Sequence, residues 1–177
     1  MRITLLFAPL FAFTFLAMQD NSVKGTMFPA MSGETLKDRK VSIPGNLKGK
    51  NALIVLAVSK AAEEDLKTWM DPLNDKFIAK TELLASDIHI YLIPMLSGAK
   101  AVGAGSAQEK MKKDVDPALL DHIIVYHGDV SKIKATLKMT EKKLPYIFIL
   151  DNSGKIIYST SGPYSEDKMD KIEDALD

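Results

Sequence analysis

Apolar and polar residues along the chain fall into a pattern that predicts alternating strands and helices. A near-continuous apolar run at residues 51–58 is typical of a strand buried on both faces. Shorter strands are predicted at residues 40–43, 87–96, 122–127, 144–150 and 155–160. Apolar residues at helical spacing predict helices at residues 61–80, 130–139 and 165–176, and residues 107–115 predict a charged surface helix. Because Pro72 interrupts the first of these, we expect a kinked helix or two abutting ones. Trp69 and Met70 lie on the apolar face of the first helix and are predicted to be in the core.

Turn residues divide these elements and fix their order. Residues 32–35 and 151–154 predict tight turns, and the Gly-rich residues 97–106 predict a mobile loop. The order is then a hairpin followed by β-α-β-α-β-α-β-β-α. This order predicts one α/β domain over residues 26–177, with a central mixed sheet flanked by helices and an N-terminal hairpin.

The N-terminus has the pattern of a targeting signal. Arg2 precedes an apolar run at residues 3–18, which predicts a secretory signal peptide over residues 1–18, cleaved near residues 17–19. We therefore expect an exported protein, periplasmic or secreted. A membrane-spanning helix needs about 20 apolar residues, so no span is expected unless this signal stays uncleaved as an anchor.

Composition removes several classes of function. The chain of 177 residues has no cysteine, which excludes disulfides, thiolate metal sites and cysteine redox chemistry. Twenty-three basic residues balance 23 acidic ones, and this zero net charge argues against a nucleic-acid partner. Three histidines are present, but His122 and His127 are five apart in one predicted strand and point to opposite faces. We predict structural histidines, no metal site, no cofactor and no catalytic residue.

Three segments resemble the thioredoxin-like fold in its peroxiredoxin and thiol-disulfide-reductase form. Residues 144–157 read Leu-Pro-Tyr-Ile-Phe-Ile-Leu-Asp-Asn-Ser-Gly-Lys-Ile-Ile, similar to the family's Pro-Thr, strand, Asp-x-x-Gly-x-Ile signature. Residues 48–50 resemble its Gly-Lys lead-in to the central strand, and residues 28–29 its Pro-x-Phe region. The resemblance covers residues 28–176 and implies a thioredoxin-like fold. It also implies a cis Leu144–Pro145 bond that holds the backbone edge at Tyr146 open to a partner.

The sequence departs from this family where the active cysteines belong. Residues 59–65 follow the central strand and read Ser-Lys-Ala-Ala-Glu-Glu-Asp, so no thiolate can form there. The family's usual binding edge still offers a surface for recognition. The residues predicted to form it are Ser59, Lys60, Glu63, Pro145 and Tyr146.

A narrower likeness points to a function without redox chemistry. Residues 122–129 and 145–162 resemble the C-terminal part of the mitochondrial assembly chaperones for the ATP synthase membrane sector, which are thioredoxin-like without depending on a redox pair. We expect an exported, non-redox module that binds or assembles a protein or peptide partner. The alternative is an enzyme of unrecognised, cysteine-independent chemistry on the same scaffold.

Overall fold

Strands at the centre of the fold make up two linked sheets. The structure is a computed structural model that describes residues 23–79, 88–95, 104–126 and 128–177. The strands are β1 (Met31–Thr35), β2 (Lys40–Ile43), β3 (Asn51–Ala57), β4 (Ile88–Pro94), β5 (Ile124–Val125), β6 (Tyr146–Leu150) and β7 (Ile156–Ser161). One sheet has the order β2-β1-β5 and the other the order β4-β3-β6-β7. Parallel bridges at Leu92–Ile123 and Met95–Tyr126 join β4 to the chain around β5.

Helices cover both faces of the larger sheet. They are α1 (Lys60–Leu73), α2 (Ala104–Asp114), α3 (Val130–Thr136) and α4 (Glu166–Leu176). The helix α1 runs through Pro72 and continues as a π-helical turn over Asn74–Ile78, which corresponds to the interruption expected at that proline. Asp116 caps the short 3₁₀ turn Pro117–Leu119 by accepting a hydrogen bond from the Ala118 N–H at 2.8 Å.

The central strand β3 divides the core into two halves, as its apolar run predicts. Ala52, Ile54 and Leu56 face a cluster that includes residues of α3 and the N-terminal hairpin. Leu53, Val55 and Ala57 face a second cluster, built with α1 and α4. All six side chains are fully buried, and β3 pairs in parallel with β4 and antiparallel with β6. The α/β class and the mixed sheet are confirmed.

The turn predicted at residues 32–35 is wrong, because these residues lie in β1. The chain reverses after it, where Asp38 adopts a φ of 60°. Gly33 is needed for a close approach instead: a Cβ there would lie 2.6 Å from the Val125 carbonyl oxygen and from Ile124 Cγ2. A glycine required by packing against a distant strand has the same local signature as a glycine in a turn.

The predicted cis bond at Leu144–Pro145 is also wrong. This bond is trans, and in the described ranges the cis peptide bond is Ile43–Pro44. The chain enters the sheet directly after Leu144: the Pro145 carbonyl accepts a hydrogen bond from the Gly162 N–H at 2.9 Å. A trans peptide fits this extended approach, and trans is the lower-energy form unless the surroundings select cis.

Several predictions concern residues outside the described ranges. These are the signal peptide at residues 1–18, most of the loop at residues 97–106, and His127. The last residues of that predicted loop are described, and they begin α2.

Candidate functional site

The predicted binding residues gather at one end of the sheet. There β3 ends at Ala57, and Ser59 follows as the residue before α1. Leu56 is paired with Tyr146, so the start of β6 lies beside the end of β3. This is the corner where the sequence places residues 59–65 in the position of the resembled family's cysteines.

Ser59 has a structural role at this corner. Its backbone is extended, and its hydroxyl accepts a hydrogen bond from the Ala62 N–H at 3.1 Å. A serine in this position satisfies one of the unpaired N–H groups at the start of a helix. The hydroxyl therefore caps α1, where a reactive enzyme of this fold would need an activated nucleophile.

Lys60 and Glu63 lie on the rim of a groove between α1 and α2, with a volume of about 580 Å³. Its base is apolar and buried, formed by Leu66, Leu92, Pro94 and Ile123. Half-buried apolar side chains form its walls: Met70 from α1, and Met111 and Val115 from α2 and the residue after it. Charges of both signs complete the rim, namely Lys60, Glu63, Lys67, Lys110 and Asp114. We call this feature the α1–α2 groove.

Tyr146 belongs to the other side of the sheet. Pro145 is buried, and Tyr146 packs against the cluster of α3 with its ring stacked on Phe148 at a centroid distance of 6.4 Å. The Tyr146 hydroxyl accepts a hydrogen bond from the Glu141 N–H at 2.8 Å. A shallow pocket of about 210 Å³ lies here, lined by Tyr146, Val23, Lys138 and the outer part of β7.

The backbone of Tyr146 does not offer a free edge. It pairs with Leu56 on one side and with Ser161 on the other, because β6 lies inside the sheet. A partner strand therefore cannot add at Tyr146, contrary to the expectation drawn from the resemblance. The predicted residues therefore do not form one surface, because Lys60 and Glu63 lie at the α1–α2 groove and Tyr146 packs on the opposite face.

Sequence reasoning missed most of the α1–α2 groove. It assigned Met70 to the core, yet this side chain is half-buried and faces the groove, whereas Trp69 is fully buried as predicted. The spacing of Met111 and Val115, four residues apart, was a usable signal of an apolar helix face. Nothing local showed that this face would stand opposite Leu66 and Met70.

His122 and His89 each form a hydrogen bond with a backbone carbonyl oxygen. His122 Nδ1 lies 3.0 Å from the Ile90 oxygen, and His89 Nε2 lies 3.1 Å from the Leu47 oxygen. Burial lowers the pKa of both imidazoles, and the hydrogen bond to the carbonyl opposes this shift in each. These contacts support the structural role predicted for both. Across the described ranges, no three His, Asp or Glu side chains are grouped as metal ligands would be.

Comparison with solved structures gives the fold. The thioredoxin domain of a thiol-disulfide oxidoreductase from Bacteroides vulgatus is 18% identical, with a TM-score of 0.62 over 87% of this chain and 98% of that one. BsSco, of the Sco family of cytochrome c oxidase assembly proteins, is 14% identical, with a TM-score of 0.55 over 84% and 91%. Yeast Sco1 is 15% identical, with a TM-score of 0.51 over 85% and 97%. The thioredoxin-like fold is confirmed.

One protein family matches nearly the whole chain in sequence. The profile of the ATP10 protein family matches residues 18–176. Among curated proteins no sequence matches. In the described residues, no helix has the length and apolar character that a membrane crossing requires.

Proposed function

Because the chain belongs to the ATP10 protein family, we propose that it is a non-redox binding module that holds a protein client during assembly of a membrane complex. The ATP synthase membrane sector is the candidate complex, on the likeness of residues 122–129 and 145–162 to its assembly chaperones. The α1–α2 groove is the contact site. One observation carries this assignment: an apolar groove lies beside the corner where thiol-disulfide enzymes place their cysteines, in a chain that has none.

The groove suits an apolar polypeptide segment. Its base is aliphatic, and Met70 and Met111 stand on its opposite walls. Methionine is unbranched and polarisable, so two such walls adjust to side chains of different shape. A volume of about 580 Å³ accommodates several apolar side chains of a client at once.

The charged rim would determine the orientation in which a client segment binds. Lys60 and Lys110 have no ion pair to a described residue, and both stand on the rim. Acidic side chains that flank an apolar client segment would pair with them, whereas Asp114 would repel such acids. Rim charges of this kind determine orientation and association rate more than affinity.

Export is part of the proposal. It rests on Arg2 and the apolar run at residues 3–18. Mass spectrometry of the native protein is expected to find an N-terminus near residues 17–19. A soluble cytoplasmic protein that begins at Met1 would refute export and leave the proposed binding role to be judged by its own test.

Site-specific cross-linking tests the contact site. A photoreactive residue at position 67, on the rim, is expected to capture subunits of the ATP synthase membrane sector in cells. The double variant Met70→Glu, Met111→Glu places two charges in the apolar groove and is expected to abolish this capture. Met27→Glu is the matched control, because Met27 is 52% exposed and lies outside the groove.

The results decide between the groove and another surface. If the double variant folds, by circular dichroism, and still captures the same subunits, the groove is not the contact site. If the wild-type protein captures no subunit of that complex, the proposed client is wrong.

A further inference from the structure

The zero net charge conceals a strongly basic surface on one side of the molecule. Residues 130–143 comprise α3 and the turn that leads into β6, and they contain one acidic residue, Glu141. The basic residues of this segment are Lys132, Lys134, Lys138, Lys142 and Lys143. We call these five side chains the α3 lysine face.

Acidic residues are concentrated on the other side of the sheet. The helix α3 packs on the core cluster that contains Ile133 and Leu137, whereas α1 and α4 pack on the opposite cluster through Trp69 and Met169. In α4 the acidic residues outnumber the two lysines: they are Glu166, Asp167, Asp170, Glu173 and Asp174. The helices α3 and α4 therefore carry opposite net charge on opposite sides of the sheet.

Two carboxylates lie beside the α3 lysine face: Asp129, which caps α3 by accepting hydrogen bonds from the Ser131 and Lys132 N–H groups, and Glu141. None of the five lysines makes a salt bridge to a described acidic side chain, and Glu141 instead accepts a hydrogen bond from the Lys143 backbone N–H at 2.9 Å. Lys132, Lys138, Lys142 and Lys143 are exposed, and Lys134 is half-buried. A partner can therefore reach all five.

The surface offers charge without an apolar anchor. Its apolar residues Ile133, Leu137 and Met139 are buried in the core. A concave feature lined by Lys134, Lys138 and Met139 is open to solvent. Tight protein interfaces centre on buried aromatic or arginine anchors in pockets, and none is present among these residues. Lysine ammonium groups at the ends of flexible side chains suit interaction with a layer of phosphate headgroups.

The start of the described chain lies beside the α3 lysine face. The described chain begins at Val23, which lines a pocket with Lys138 and Tyr146. Residues 19–22 separate Val23 from the apolar run at residues 3–18. The described chain therefore begins beside Lys138, on the α3 side of the sheet.

We propose that the α3 lysine face docks the protein on an anionic lipid bilayer. Lysine side chains attract the phosphate headgroups, and the acidic helices α1 and α4 are repelled, so the domain lies with one orientation on the surface. The attraction falls off within about 10 Å at moderate ionic strength, so docking is sensitive to salt. This proposal uses none of the residues that line the α1–α2 groove and does not depend on the client proposed for it.

Vesicle sedimentation with the full chain tests the proposal. Vesicles of phosphatidylglycerol and phosphatidylcholine in equal parts are compared with pure phosphatidylcholine vesicles, each at low and high salt. The wild-type protein is expected to bind the anionic vesicles, and salt is expected to release it. Each lysine near an anionic surface raises partitioning about fivefold, so the triple variant Lys132→Gln, Lys138→Gln, Lys142→Gln is expected to bind about a hundredfold more weakly.

A second triple variant controls for net charge. Lys40→Gln, Lys113→Gln and Lys171→Gln remove three equally exposed lysines from other surfaces. This control is expected to bind within a few-fold of wild type, and thermal melts check that both variants fold. Because both keep residues 3–18, binding through the apolar run affects them equally.

Three results would overturn the proposal. One is equal binding of the wild-type protein to both kinds of vesicle. Another is equal loss of binding in the two triple variants, which would show that net charge alone acts. The third is tighter binding to polyglutamate than to anionic vesicles, lost in the α3 variant alone, which would assign the surface to an acidic protein.

Discussion

The indole Nε1 of Trp69 donates a hydrogen bond to the carbonyl oxygen of Gly162 at 3.0 Å, and this bond ties α1 to the chain that leaves β7. The two residues are 93 positions apart, and both are buried. Tyr164 packs edge-on against the same indole at a centroid distance of 5.4 Å. Trp69 therefore helps to fix the wall of the α1–α2 groove to the C-terminal part of the sheet, and Thr68 adds a second link by accepting a hydrogen bond from the Tyr164 N–H at 2.9 Å.

Replacement of Trp69 by Phe tests this link. The variant leaves a buried carbonyl without its donor and opens a cavity, so the free energy of unfolding is expected to fall by about 2–4 kcal/mol. Urea denaturation followed by circular dichroism measures the change. Tyr164→Phe is the control, because it keeps the ring against Trp69, and it is expected to lie within about 0.5 kcal/mol of wild type. Equal effects of the two changes would contradict the assigned role of the hydrogen bond.

Gly33 is expected to tolerate no side chain. In Gly33→Ala the new Cβ would lie 2.6 Å from backbone and side-chain atoms of β5, so the strands must separate. We expect a loss of about 1–3 kcal/mol in unfolding free energy, the usual cost of overpacking. Gly45→Ala is the matched control, since its Cβ would meet Ser42 Oγ at an ordinary 3.4 Å. A thermal melt that does not distinguish the two variants would contradict the close approach of β1 and β5.

Two serines at helix starts differ in a way that stability measurements can detect. Ser59 caps α1 through its hydroxyl, whereas Ser165 precedes α4 without a capping side-chain hydrogen bond. Ser59→Ala is expected to cost about 1 kcal/mol, and Ser165→Ala less than half of that. Chemical denaturation of the two variants gives the comparison. A Ser59→Ala variant as stable as the wild-type protein would contradict the capping role of Ser59.

Stability is expected to fall as the pH drops below about 6.5, the ordinary pKa of histidine. Burial lowers the pKa of His122 and of His89 in the folded protein, so the unfolded chain takes up protons first as the pH falls. The urea midpoint should therefore decrease between about pH 7 and pH 5, where most carboxylates stay ionised. His122→Asn keeps a side-chain donor for the Ile90 carbonyl without a titrating ring, and it is expected to flatten this dependence. An unchanged pH profile in that variant would contradict the prediction.

Burial could be predicted best where the residues of a single strand or helix are enough to indicate it. The apolar run of β3 required burial on both faces, and the spacing of Leu66, Trp69 and Leu73 required a buried helix face; both are confirmed. The errors arose where the local conformation depends on contacts with residues far away in the sequence. Gly33 is in close contact with β5, some 90 positions away, and the Pro145 carbonyl pairs with Gly162 of a different part of the chain.

The candidate site was predictable only in part for the same reason. Lys60 and Glu63 follow the central strand, so their place at the end of the sheet could be inferred from chain order. The groove beside them needs Met111 of α2 opposite Met70 of α1, and this pairing depends on how two helices meet across β4. Tyr146 lies at the start of β6 beside the end of β3, yet its ring packs on the α3 side of the sheet, opposite the groove.

Separation of the lysines of α3 from the acids of α4 has a consequence for handling the protein. A chain with equal numbers of acidic and basic residues should pass through ion-exchange columns near neutral pH if its charges are evenly spread. When the charges are segregated, a cation exchanger binds the basic surface and an anion exchanger binds the acidic one. This chain is expected to be retained by both cation and anion exchangers in dilute buffer and to elute from both at modest salt. Concentrated, salt-free solutions bring opposite faces of neighbouring molecules together, and reversible turbidity that clears when salt is added is the visible result.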